Sequence, residues 1–159
     1  MQKKANLINY CMMIRHAKSR DGKIEEANCK AVLFDQNDEG LVKGLNGNYG
    51  SSGQVDYIEM TGNKIVLLEL KDLMEKLKCK SVNSILINLD KKYNDSIEII
   101  RKHINSCASI TYYVVVKNNT DIVVLDNIFP IRKVKKSFTV CKTNEICSKL
   151  SEFNTRLCP

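Results

Sequence analysis

Asp56, Glu69 and Lys71 are the residues of this chain whose types and spacing best suit chemistry. Residues 54–60, a Thr61-Gly62-Asn63 turn and residues 64–71 read as a β-hairpin, which brings Asp56 alongside the end of the second strand. Strand side chains alternate faces, so Glu69 and Lys71 project to one side and Leu70 to the other. Two carboxylates converging there suit a hard, oxygen-seeking cation, Mg²⁺ or Mn²⁺, and the Leu70 carbonyl offers a third oxygen. Such a cation polarises a phosphodiester and lowers the pKa of a bound water, while Lys71 would orient that water and stabilise developing charge. The plainer alternative is a solvated cross-strand ion pair, with Asp56 capping a turn.

The elements that must position these groups are legible in outline. Five of the seven glycines fall at 40, 44, 47, 50 and 53, which predicts a loop; no Gly-Lys-Ser/Thr closes it as a phosphate-binding loop would. Before it, Leu7, Ile8, Cys11, Met12 and Arg15 recur at helical spacing, residues 24–30 read as a second helical piece, and residues 31–34 as a short strand. Residues 64–71 are apolar on both faces through Leu68, the pattern of a central strand buried on both sides. A helix follows from Asp72, residues 84–88 suit helix or strand, and Asn94, Asp95 and Ser96 read as the N-cap of a helix carrying Ile97, Ile99, Ile100, His103 and Ile104. Residues 110–116 and 121–125 read as a second hairpin, residues 137–140 as a strand, and Thr143 as the cap of a final helix through Leu150. The sum is one domain over residues 1–159, of α/β class, with a central mixed sheet of about five or six strands flanked by helices.

Composition narrows the function. Hydrophobic residues are 43% and charged residues 27%, an ordinary globular balance, and the net charge of +7 suits either a polyanionic partner, nucleic acid or an anionic surface, or simple colloidal solubility. No run of 18 apolar residues exists, so no membrane-spanning helix and no membrane partner is expected. Arg15, His16 and Lys18 follow a short apolar run that Asn9 breaks, unlike a secretory leader. Seven scattered cysteines without a CxxC pair read as reduced thiols, mostly core, in a cytoplasmic or nuclear protein that is not secreted. Cys141 and Cys147 lack a histidine or acid near in sequence and read as packing thiols rather than nucleophiles. Tyr112 and Tyr113 open an apolar strand and read as core and rim. Arg132, Lys133, Lys135 and Lys136 form either a phosphate-contacting stripe or a guard on a sheet edge.

Asp56 followed by Glu69-Leu70-Lys71 at the close of an apolar strand resembles the Asp…(Asp/Glu)-x-Lys pattern of the PD-(D/E)xK nuclease superfamily. The run Gly50-Ser51-Ser52-Gly53 just before Asp56 is similar to that of archaeal-type Holliday junction resolvases. Val55 stands where the family's eponymous proline would be. The resemblance implies a restriction-endonuclease-like core and a Mg²⁺- or Mn²⁺-dependent endonuclease that hydrolyses phosphodiester bonds. Asp56, Glu69 and Leu70 would hold the metal, and Lys71 and a glutamate on the first helix, Glu26 or else Glu25, would join them in catalysis. It further implies that Ser51 and Ser52 contact nucleic acid, DNA favoured over RNA and branched DNA in particular, and that the chain acts as a homodimer. The net charge, not the resemblance, adds Arg132, Lys133, Lys135 and Lys136 as expected nucleic-acid contacts. Two other readings stand beside it. One is an RNA endonuclease of the cap-snatching kind, in which His16 would be a metal ligand and Asp35 the intermediate acid. The other is a non-catalytic nucleic-acid-binding or assembly domain of the same fold.

Overall fold

A computed structural model describes residues 4–45, 49, 53–129, 138–153 and 155–159. Six strands form one mixed sheet in sequence order: β1 (Cys11–Arg15), β2 (Glu26–Leu33), β3 (Tyr57–Thr61), β4 (Lys64–Leu70), β5 (Ser109–Val116) and β6 (Thr139–Lys142). The first four pair antiparallel, whereas β4–β5 and β5–β6 are parallel. Parallel neighbours need a crossover, and α2 (Leu73–Leu77) with α3 (Val82–His103) supplies the one from β4 to β5. Helix α4 (Ile122–Ile128) supplies the next, α1 (Lys4–Ile8) precedes the sheet, and α5 (Thr143–Ser151) follows it. The expected α/β class, with a six-stranded mixed sheet flanked by helices, is what the chain adopts.

Strand β4 lies between β3 and β5, and Ile65, Val66, Leu67 and Leu68 are all fully buried, as its two-faced apolar pattern requires. Ile65 and Leu67 pack into the larger core with Ile85, Leu89 and Ile100 of α3. Val66 and Leu68 pack into a second core with Ile146 and Leu150 of α5. The first hairpin turns as expected through Gly62 and Asn63, with Gly62 at φ 55°, a conformation natural to glycine.

Several expectations are corrected, among them the cap of α5, which is Lys142 rather than Thr143. Residues 7–15 are not one helix: α1 stops at Ile8 and residues 11–15 are edge strand β1, where helical spacing in so short a segment coincided with alternate burial of Ile14. Residues 24–30 are not helical either, because β2 begins at Glu26 and pairs with β1. Residues 121–125 do not return as a hairpin strand. The Asp121 side chain accepts from the Val123 and Val124 amides and starts α4, so local capping prevails over β-branched propensity. Asn94, Asp95 and Ser96 lie within α3, whose N-cap is Ser81. Residues 84–88 are helical.

The reduced-thiol expectation is overturned for four cysteines. Cys11 is bonded to Cys158 and Cys29 to Cys147, with Cα atoms 5.7 and 5.8 Å apart. Separations of 147 and 118 residues hid the pairing from any spacing argument, since only the folded sheet brings β1 and β2 against the C-terminal segment. The expected cytoplasmic or nuclear location rested partly on free thiols and loses that footing. Cys79, Cys107 and Cys141 are free. Among the described residues, no helix is long and apolar enough to cross a membrane.

Candidate active site

Asp56 immediately precedes β3, and Tyr57 pairs with Leu68 of β4. One step further along this antiparallel register, Asp56 stands opposite Glu69 at the point where β4 leaves the core. The Leu70 amide donates to Asp56 Oδ2 at 2.8 Å, which fixes the aspartate across the strand end. The approach to Asp56 is held by α3: the Val55 amide donates to Ser96 Oγ at 3.0 Å, and the Gly53 amide to Asp95 Oδ2 at 3.0 Å.

Glu69 is 1% exposed, a costly place for a carboxylate. Its Oε1 accepts from Lys92 Nζ at 2.7 Å, whereas Oε2 has no hydrogen-bond partner among the described residues. Lys92 belongs to the buried stripe of α3 that also carries Ile85, Leu89, Ser96 and Ile100, so the helix aims it at the sheet. Sequence reasoning missed it. The available signal was a lysine at an apolar-stripe position, facing the strand with the extra carboxylate.

The charges perturb one another as such crowding demands. Burial, then repulsion from Glu69, raises the Asp56 pKa well above the usual carboxylate range, against the pull of Lys92 and the Leu70 amide. Burial likewise raises Glu69, and Lys92 opposes it. Burial disfavours the Lys92 ammonium, but the Glu69 carboxylate outweighs that and holds its pKa above the ordinary lysine value. Lys71 is lowered, chiefly by burial, and its Nζ donates to Asn88 Oδ1 at 2.7 Å.

Asp56, Glu69, Leu70 and Lys71 all line a cleft of about 1010 Å³ on the α3 side of the sheet. Among the described residues, its lining carries eight lysines and arginines against five carboxylates. Lys18, Arg20, Lys76, Lys80, Lys91 and Lys117 surround the carboxylate pair, an arrangement that attracts a polyanion toward it.

A second acidic grouping adjoins the first. One oxygen each from Asp35, Asp38 and Asp56 lies within 4.8 Å of the others. Asp35 caps the turn Gln36–Asp38 by accepting from the Asn37 amide at 3.0 Å, and burial raises its pKa. That turn closes against Gly40, where an added Cβ would sit 2.5 Å from the Phe34 carbonyl carbon, so no larger residue fits.

The remaining predicted residues divide clearly. Glu26 is not on a helix: it opens β2, is about half exposed, and pairs with Arg15 at 3.8 Å, away from the cleft lining. Glu25 instead joins a buried cluster. Its Oε2 accepts from the Thr143 hydroxyl and from the Asn118 amide at 3.1 Å. His16 Nε2 lies 2.9 Å from the same hydroxyl, and burial pushes the histidine down to about 4, so the ring is neutral at neutral pH. His16 lines the cleft, but with one ring nitrogen committed to Thr143. Cys141 is buried, with its thiol pushed up to about 12, and fits packing rather than nucleophilic attack. Tyr112 is core as expected, its hydroxyl donating to the Leu89 carbonyl at 3.2 Å. Ser51, Ser52, Arg132, Lys133, Lys135 and Lys136 lie outside the described residues.

Metal-binding chemistry fits the residues present. A fully buried carboxylate oxygen with no partner among the described residues, beside a second carboxylate of raised pKa, is the environment that a hard divalent cation relieves. Compared with known proteins, the chain matches no family model, no curated protein and no solved structure.

Proposed function

We propose that this chain is a Mg²⁺- or Mn²⁺-dependent endonuclease with a restriction-endonuclease-like core, acting on phosphodiester bonds in nucleic acid, with DNA favoured and branched DNA the leading substrate. The observation that carries the reading is the buried Asp56–Glu69 pair, with Glu69 Oε2 unpartnered among the described residues, at the floor of a basic cleft. The strand order supports the same core: antiparallel β2–β3–β4, a helical crossover through α3, then β5 parallel to β4.

Asp56, Glu69 and the Leu70 carbonyl would hold the cation, which when bound supplies Lewis acidity toward the phosphate and a more acidic water. The protein supplies the rest. Lys92 fixes Glu69 through Oε1 and leaves Oε2 for the site. The Leu70 amide fixes Asp56 through Oδ2. Lys71, tethered to Asn88 at the cleft wall, is placed to stabilise charge that develops on the phosphate. The surrounding lysines draw the backbone in without reading sequence. Symmetric cuts in a branched substrate would require two such sites, hence a homodimer.

A second reading, an RNA endonuclease of the cap-snatching kind, is favoured by one observation: His16 lines the same cleft as Asp56. Cleavage of labelled single-stranded, duplex and four-way DNA, and of single-stranded RNA, with Mg²⁺, Mn²⁺ or EDTA separates the readings. Metal-dependent DNA cleavage is expected. Binding without cleavage under all metals would leave a non-catalytic nucleic-acid-binding domain.

A further inference from the structure

A smaller recess of about 440 Å³ opens on the opposite face of the sheet from the basic cleft. The two share His16, Ala17, Lys18, Asp56 and Leu70, so Asp56 and Leu70 form a sill between them. The recess is walled by Met12, Ile24 and Leu33, with Tyr57 at its floor. Met12 is 43% and Ile24 47% exposed, two of the five large apolar side chains left exposed among the described residues. Core packing does not account for their placement. The wall is also fixed: the Tyr57 hydroxyl donates to the Met13 carbonyl at 3.1 Å and accepts from the Arg15 amide at 3.3 Å, tying β1 to the floor. At the mouth stand Arg15, Lys18 and Asp38, offering donors and an acceptor to a flat polar edge.

We propose that this recess is a nucleobase subsite, which takes one unpaired base of the strand whose phosphate lies over Asp56 and Glu69. The inference rests on the nuclease reading and names its substrate class: nucleic acid that is single-stranded or splayed at the cut. Apolar walls suit the faces of a base, and the polar mouth suits its edge. The phosphate backbone stays among the lysines of the cleft, crosses the sill at Leu70, and turns its base into the recess. A base still paired in a duplex enters only after unpairing and unstacking, which costs free energy, so unpaired or splayed strands are favoured.

The test is a scan. A short single-stranded oligodeoxynucleotide carries one abasic residue, moved position by position, and affinity is read by fluorescence anisotropy in Ca²⁺. At the position beside the cut mapped in Mn²⁺, the abasic strand should bind about tenfold more weakly, the scale of one lost base contact. Met12→Ser/Ile24→Ser should erase that positional penalty. Both residues are surface-exposed, and an unchanged melting temperature checks the fold. Ile24→Trp, which fills the recess, should weaken binding of the intact strand but not of the abasic one. A flat scan on the wild-type protein that still cleaves with Mn²⁺ overturns the subsite and leaves the nuclease reading standing. No metal-dependent cleavage and no binding of any strand would overturn both.

Discussion

Lys92 on α3 holds its ammonium 2.7 Å from Glu69 Oε1, and the glutamate keeps its other oxygen unpartnered among the described residues. A buried carboxylate is tolerated only with compensation, and in the metal-free protein Lys92 supplies the larger part of it. The helix and the central strand are thus joined at the site itself.

Removing that partner leaves a buried charge uncompensated. Lys92→Met should destabilise the metal-free protein by about 3–5 kcal/mol in urea unfolding. Mn²⁺ should restore more stability to the variant than it adds to the wild-type protein, because the cation then replaces the missing ammonium. Equal stabilisation of both proteins would show that Glu69 does not bind the ion.

The perturbed carboxylates set the sign of a pH effect. Asp56 has a higher pKa folded than unfolded, so its contribution is present at low pH and is lost as pH rises through the folded value. Asp56→Asn resembles the protonated form and can still accept from the Leu70 amide. The metal-free variant should therefore be more stable than wild type at neutral pH and above, with the difference narrowing as pH falls. For the same reason, divalent affinity of the wild-type protein should rise with pH, as the cation displaces a proton. Isothermal calorimetry across pH checks the second point.

His16 works in the opposite direction. Its pKa falls from the ordinary 6.5 to about 4 on folding, so its contribution is present above 6.5 and is lost as pH drops toward 4. The shift corresponds to about 3 kcal/mol. His16→Gln should lower stability at neutral pH and remove the part of the acid destabilisation that falls within that window. Denaturant midpoints measured between pH 7 and pH 4 on both proteins reveal it.

The two disulfides close nearly the whole chain into loops. Peptide mapping without reductant should recover Cys11 with Cys158 and Cys29 with Cys147, and alkylation of the unfolded, unreduced protein should label Cys79, Cys107 and Cys141 alone. Reduction should cost about 2–5 kcal/mol per bond.

The parts of the site legible in the sequence were those encoded locally. Asp56, Glu69 and Lys71 sit on one hairpin, where alternation and a glycine turn dictate geometry, and the apolar run of β4 announces a strand buried on both faces. What escaped was set by distant packing. Lys92 reaches Glu69 only because α3 lies across β4, and Cys29 meets Cys147 only after α5 docks on β2. Residues 11–15 and 122–128 were misread because short apolar segments satisfy helix and strand periodicities alike, so an edge pairing in one case and the Asp121 cap in the other decided them. Glu26 was placed by family resemblance on a helix that this chain does not form there.

The most direct test of the proposed metal-dependent site is single-turnover cleavage of end-labelled DNA, four-way and single-stranded, by the wild-type protein and Glu69→Gln, each with Mn²⁺ and with EDTA. Wild type should cut with Mn²⁺ and not with EDTA. Glu69→Gln should be slower by about a hundredfold or more while binding the DNA at least as tightly, since the substitution removes negative charge near phosphate. Cleavage by Glu69→Gln at the wild-type rate, or cleavage by the wild type that persists in EDTA, would contradict the account.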